Sequence, residues 1–259
     1  MAPRSSWEIQ KSVVFALLVR ELKTRFGHYR LGYLWALIEP AAHVLVLFVI
    51  FGYVFKRTLP GIDYPVFFAT GIVPYLMFNH MVTRGMSAVS ANVGLFAYRQ
   101  VKGADALIAR LLLEGLIHLA TFIVLLGAAA WLGFRVEVND PLRLFAALVL
   151  LYLFSIGCAF TACVVTTLYE ETQKFVPIIM RPLYFISGIF FSVSVLPAEY
   201  RAYFLWNPLL HAIELIRDAC FSSFETMGGS WLYLSMVSVC TLCFGLVLYR
   251  QNAVRLLMQ

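Results

Sequence analysis

The sequence predicts an all-α integral membrane fold: about six transmembrane helices, an amphipathic interfacial helix before them, and short re-entrant outer helices before the last span. Three observations lead there. Of 259 residues, 61% are hydrophobic and only 13% charged, whereas a soluble domain is about half apolar and about a quarter charged. Such an excess does not fit inside one ordinary core, so lipid must be part of the solvent. Apolar runs of span length recur along the chain, and lysine and arginine alternate in abundance between the connections. The net charge of +6 sits beside apolar segments, where anionic head groups attract it. No DNA or RNA recognition motif accompanies it, so nucleic acid is not an expected partner.

Residues 1–32 form the interfacial segment and 33–259 a single membrane domain without internal repeat. Within 7–30, Val14, Leu17, Leu18 and Leu22 share one helical face, with Gln10, Lys11, Glu21 and Lys23 turned more to the other. This pattern suits an anchor on the membrane surface or a platform for a cytoplasmic partner. Residues 13–19 are too short, and too soon followed by charge, for a signal peptide.

The spans fall at about 33–55, 65–82, 107–134, 142–168, 176–196 and 231–249. Span 33–55 carries Glu39 before Pro40, so a kink is expected there, and a carboxylate at that depth needs protein or water beside it. The second span contains Pro74 and is the shortest. The connection 83–106 holds Gly94-Leu95-Phe96-Ala97-Tyr98-Arg99, an aromatic knob flanked by cations, suited to a protein contact or to interfacial anchoring. In 107–134, Glu114 and His118 lie one turn apart on one face, as interhelical hydrogen-bonding groups or a proton relay. Arg181, before Pro182, sits roughly 8 Å into the fifth span. It either snorkels to the cytoplasmic interface or lines the entry of an anionic substrate.

The connection 197–230 is too long for a turn and too apolar for a free loop, and Pro197 and Pro208 punctuate it. Two short helices dipping into the outer leaflet are expected, forming the mouth of a pathway. Tyr33, Trp35, Tyr75, Phe78, Tyr184 and Phe185 lie in or near span ends, as belt residues or as stacking faces for sugar rings. Four of the five cysteines lie in apolar segments and Cys220 in a loop; Cys240 and Cys243 lack the partners of a zinc site, and no metal site is expected.

Orientation follows the cations. Arg4, Lys11, Arg20, Lys23, Arg25 and Arg30, then Arg84, Arg99 and Lys102, then Lys174, then Arg250 and Arg255 mark one side. Lys56, Arg57, Arg135, Arg201 and Arg217 mark the other. The richer side is cytoplasmic, with both termini on it. No phosphate-cradling G-x-x-x-x-G-K-[ST] and no hydrolase motif is present, so conduction or transport is a better class than catalysis. Matched broken helices of a secondary transporter are also lacking.

Further motifs carry a resemblance. They are Arg20-Glu21-Leu22-Lys23-Thr24-Arg25-Phe26-Gly27, Arg30-Leu31-Gly32-Tyr33-Leu34-Trp35-Ala36-Leu37-Ile38-Glu39-Pro40, Leu95-Phe96-Ala97-Tyr98-Arg99, Pro182-Leu183-Tyr184-Phe185-Ile186-Ser187 and Leu205-Trp206-Asn207-Pro208-Leu209. With them the chain resembles ABC-2 (type V exporter-like) permeases, most closely those of group 2 capsular polysaccharide export. The resemblance implies a homodimer in the bacterial inner membrane, docking two copies of an ABC ATPase that binds the ATP and Mg while this chain binds no cofactor. The implied cargo is a lipid-linked acidic polysaccharide. A periplasmic co-polymerase-like protein, an outer-membrane exporter and membrane lipids complete the implied partners. Exporters of O-antigen, teichoic acid, drugs or lipids share the mechanism, and a membrane enzyme on lipid-linked sugars is the other class.

By the same resemblance, the coupling helix maps onto 91–99, with Gly94, Leu95, Phe96, Tyr98, Arg99, Arg20 and Lys23 as the docking set. Arg25, Arg30, Tyr33, Trp35, Glu39, Tyr75, Phe78, Arg181 and Tyr184 are candidates to line the channel. Trp206, Asn207, Pro208 and His211 are candidates for an outer gate within 197–221. Reporter fusions after Gln259 and after Ala88 should read cytoplasmic, and fusions near Glu225 external. An external reading at Gln259 contradicts the six-span arrangement.

Overall fold

The computed structural model describes residues 5–26, 32–54, 61–98, 100–224 and 226–257. Arg4, Arg30, Lys56, Arg57 and Arg99 lie outside that set, as does the side chain of Tyr33. The described residues fold as helices without a β-strand. Helix α1 is Ser6–Phe26. Helix α2, Trp35–Phe48, runs through Pro40 and continues as a π-helical stretch, Val49–Val54. Helix α3 is Tyr64–Gly85, and a short 3-10 helix at Ser90–Leu95 leads to α4, Gly103–Trp131. Then come α5, Pro141–Leu168, and α6, Thr172–Ile186. The outer connection holds α7, Ala198–Arg201, and α8, Pro208–Cys220, before the final helix α9, Trp231–Leu257.

Among the described residues, five helices are long and apolar enough to cross a membrane: Trp35–Val54, Tyr64–Gly85, Gly103–Trp131, Pro141–Leu168 and Trp231–Ala253. Burial orders them. The second is 83% buried and the first only 11%, so α3 is the central post and α2 presents its surface to lipid or to a partner. This explains why 65–82 carries the weakest apolar signal of the spans: protein, not lipid, is most of its solvent. Helices α5 and α9 pack at backbone contact. A Cβ on Gly157 would lie 2.4 Å from the Thr241 carbonyl carbon, and one on Gly245 would lie 2.4 Å from the Gly157 carbonyl oxygen. Small residues allow this approach where no hydrophobic effect draws helices together.

The expected fifth span behaves differently. Helix α6 has 15 residues, roughly 22 Å of rise, and stops ten positions before the expected end at 196. Pro177 and Pro182 weaken it from within. Gly188 then takes φ 77°, a left-handed turn suited to a residue without Cβ. The chain continues irregularly to a 3-10 turn at Val193–Val195.

Irregular backbone at this depth leaves carbonyls without partners, and Arg217 of α8 supplies them. Its guanidinium donates to the carbonyls of Gly188 at 2.6 Å, Ile189 at 3.0 Å, Phe191 at 3.1 Å and Phe67 of α3 at 3.3 Å. It also lies over the Phe67 ring, 3.6 Å from the centroid. Arg217 was counted as an outer loop charge in the topology argument; in the structure it is fully buried. Cys220 likewise is not in a loop but is the buried last residue of α8.

The same helix holds the chain elsewhere. Glu214 accepts from the Val193 amide at 3.2 Å and from the hydroxyls of Ser192 and Thr226 at 3.3 and 3.2 Å. Asn207 caps α8 through the Leu209 amide, and its Nδ2 reaches Ser187 at 3.0 Å. Helix α8 is thus a protein-covered block joining the end of α6 to α3, α5 and α9. Arg217→Met should remove the donor from the Gly188, Ile189 and Phe191 carbonyls, at about 1–3 kcal/mol each, while the Phe67 carbonyl keeps the Thr70 hydroxyl. The purified variant should lose many degrees of melting temperature; an unchanged transition contradicts this role.

Candidate functional site

Polar side chains of α1, α3 and α4 gather around Glu114, whose side chain is 2% exposed. Its Oε1 accepts from Arg25 of α1 at 2.5 Å and from Arg84 of α3 at 3.1 Å. A buried carboxylate needs such partners, because an unpaired charge at this depth is among the most costly groups a fold contains. Burial pulls the Arg25 guanidinium below its ordinary range; Glu114 pulls it back up, while Arg84 adds to the depression. Arg110, one turn before Glu114, bonds Glu21 of α1 at 2.7 Å and the Arg84 carbonyl at 3.0 Å.

Further contacts fix α1 along its length. Gln10 donates to Asp105 at 3.0 Å, and Asp105 accepts from the Lys102 amide, closing the start of α4. Arg20 donates to Asn92 at 2.5 Å, and Asn92 bonds back to the Ala88 carbonyl at 2.8 Å. Beneath them Leu17, Ala106 and Ala109 form a small core with Val13, Val14, Leu18, Leu95 and Phe96 packed against it. The apolar face of α1 therefore meets protein. Trp7 and Phe15 are its exposed apolar residues.

This geometry places the expected docking residues. Leu95 and Phe96 are half-buried under α1, whereas Val93, Gly94 and Tyr98 are exposed. Lys23 is exposed, and Arg20 is tied to Asn92. Val93 was missed in the sequence, where no periodicity separates the two faces of so short a turn.

Among channel candidates, Tyr75 and Phe78 are buried between helices. The Tyr75 hydroxyl bonds the Met180 carbonyl of α6, and its ring meets Tyr184 edge-on at 5.0 Å. Phe78 stacks on Phe154 of α5. Trp35 is exposed, and Glu39 is half-exposed, 3.6 Å from His80. Arg181 is exposed and has no ion pair among the described residues, in contrast to Arg25. A ladder of rings continues outward: Tyr184 to Phe190 at 5.3 Å, Phe190 to Phe51 at 6.2 Å, Phe51 to Phe68 at 5.4 Å and Phe68 to Tyr64 at 5.7 Å. Phe185, 61% exposed, stacks on Phe190 beside it.

At the outer end, Trp206 is exposed and its carbonyl accepts from the Tyr233 hydroxyl at 2.6 Å. Asn207 and His211 are buried pins, and Pro208 opens α8. His211 Nε2 meets the Leu205 carbonyl at 2.8 Å, and its Nδ1 accepts from the Ser230 amide at 3.0 Å.

Comparison with known proteins agrees with this architecture. Residues 12–221 match the membrane-domain model described as ABC-2 type transporter. The polysialic acid transport protein KpsM of Escherichia coli is 45% identical over 247 residues, covering 95% of this chain and 96% of KpsM. The capsule polysaccharide export inner-membrane protein CtrC of Neisseria meningitidis serogroup A is 29% identical, covering 92% and 90%. The capsule polysaccharide export inner-membrane protein BexB of Haemophilus influenzae is 26% identical, covering 95% and 93%. A family model spanning most of the chain and a relative matched along nearly all of its length lead to one conclusion: this chain belongs to the ABC-2 type transporter family.

Proposed function

We propose that the chain is the transmembrane subunit of an exporter that moves a lipid-linked acidic capsular polysaccharide across the bacterial inner membrane. It acts as a homodimer with both termini cytoplasmic. A separate ABC ATPase holds the ATP and Mg, because this chain has no phosphate-cradling loop. The observation that carries the cargo class is the nearly full-length match, at 45% identity, to a protein named for polysialic acid transport.

The geometry supports a division of labour. Val93, Gly94 and Tyr98 form an exposed cytoplasmic knob, braced by Arg20 on Asn92 and by Phe96 beneath. A push on that knob reaches α1, then Glu114 and the bases of α3 and α4, through charge-assisted hydrogen bonds. The exposed rings of Trp35 and Phe185, the latter seated on the aromatic ladder, offer apolar faces on which sugar rings slide without a strong polar contact to break. Exposed Arg181 provides cationic attraction at the entry. A periplasmic co-polymerase-like protein and an outer-membrane exporter continue the path.

The test is reconstitution in lipid discs with the cognate ABC ATPase. The chain alone should neither bind nor hydrolyse ATP. Val93→Ala with Tyr98→Ala should weaken ATPase binding by ~2 kcal/mol, about thirtyfold in Kd. Arg181→Glu should leave ATPase binding intact and lower the turnover stimulated by an acidic glycan. ATP hydrolysis by the chain alone, or wild-type binding by the double variant, contradicts the proposal.

A further inference from the structure

His80, Glu114 and His118 form a constellation that export by helix movement does not require. One donor atom from each lies within 4.8 Å of the others. His80 Nδ1 stands 3.1 Å from His118 Nε2. His118 Nδ1 is 2.9 Å from the Glu114 backbone carbonyl, which only accepts. That nitrogen therefore carries the proton, and Nε2 presents a lone pair. His80 Nε2 faces the Glu39 carboxylate at 3.6 Å, again an acceptor. Each ring thus turns one nitrogen to an oxygen acceptor and the other to its partner ring. At that distance the two facing nitrogens need a proton or a metal cation between them.

Glu114 supplies a third donor and an independent sign of a ligand. Arg25 and Arg84 engage Oε1. Oε2 is buried, 3.9 Å from His118 Nδ1, and has no hydrogen-bond partner among the described residues. A carboxylate oxygen left bare in this way costs free energy unless something positive completes it.

We propose that His80, His118 and Glu114 bind one divalent transition-metal ion of the Zn²⁺ class. Two imidazoles and a carboxylate are a donor set suited to that class and leave a coordination position open. The Glu114 carbonyl orients His118, and Glu39 orients His80, as outer oxygens orient metal-bound histidines. The bound ion ties α3 to α4, and through Glu39 to α2, in the cytoplasmic half where coupled movement begins. Glu39, with a side chain 40% exposed, and His80, at 13%, mark the side from which the ion enters. Arg25 and Arg84 oppose a dication and the carboxylates of Glu39 and Glu114 offset them, so the site suits reversible occupancy rather than a permanent structural ion.

The test is a Co²⁺ titration of the full-length chain in lipid discs after chelator treatment. The expected result is one equivalent of Co²⁺ with a visible d–d absorption band, displaced by Zn²⁺. His80→Gln with His118→Gln should abolish the band. Should that variant fail to fold, Glu39→Gln, altered at a partly exposed position, should bind about tenfold more weakly. Absence of a stoichiometric band in the unaltered chain overturns the proposal and leaves a proton shared between the two rings. A band that survives loss of both histidines also overturns it.

Discussion

The carboxylate of Glu114 is the constraint on which the packing of α1 against α3 and α4 is built. An ionised group in a low-dielectric interior costs several kcal/mol unless opposite charge and hydrogen bonds surround it. Here the compensation comes from two other helices, Arg25 of α1 and Arg84 of α3. Helix α1 cannot drift along the membrane surface without uncovering that charge. Glu21 on Arg110, Gln10 on Asp105 and Arg20 on Asn92 repeat the arrangement at intervals along α1. In the proposed mechanism this helix is the lever that links the exposed turn around Val93 and Tyr98, on the α3–α4 connection, to Glu114.

The opposite end of α3 meets the same requirement with opposite polarity. There the backbone itself is the unsatisfied group, because α6 ends at Ile186 and Gly188 turns the chain. Arg217 gathers the loose carbonyls and lies on Phe67, while Glu214 takes up donors from the same segment. With the guanidinium enclosed, a broken helix is tolerated at a depth where lipid offers no hydrogen bonds. The two ends of α3 are thus clamped by buried arginines from other helices: Arg25 and Arg110 near its inner end, through Glu114 and the Arg84 carbonyl, and Arg217 near its outer end.

Much of this was legible in the sequence, for a physical reason. Lipid as solvent forces long apolar runs, so composition alone marked the all-helical membrane fold, and Pro197 and Pro208 fall at the starts of α7 and α8. The shared face of Glu114 and His118 was visible because helical periodicity is local. Their partners were not, because Arg25, Arg84 and His80 arrive from other helices, and one sequence carries no record of that approach. Arg217 was misplaced because charge counting treats any arginine outside an apolar run as solvent-exposed. The early end of α6 had a signal in Pro177, Pro182 and Gly188, but high apolar content masked it. Phe96 and Tyr98 looked equivalent, and packing under α1 separated them.

The central claim is that the Arg25–Glu114 pair joins α1 to the spans. A double-mutant cycle on unfolding free energy in a lipid bilayer tests it directly, using Arg25→Met, Glu114→Gln and both together. Arg25→Met leaves Glu114 with Arg84 alone, and Glu114→Gln removes the carboxylate that both guanidiniums face, so each single change should cost about 1–3 kcal/mol. The double variant should be more stable than the sum of the single effects implies, by at least ~1 kcal/mol, because both single changes remove the same Arg25–Glu114 interaction. Additivity within about 0.5 kcal/mol would show that the pair is not coupled, and would contradict the account of α1 as a lever.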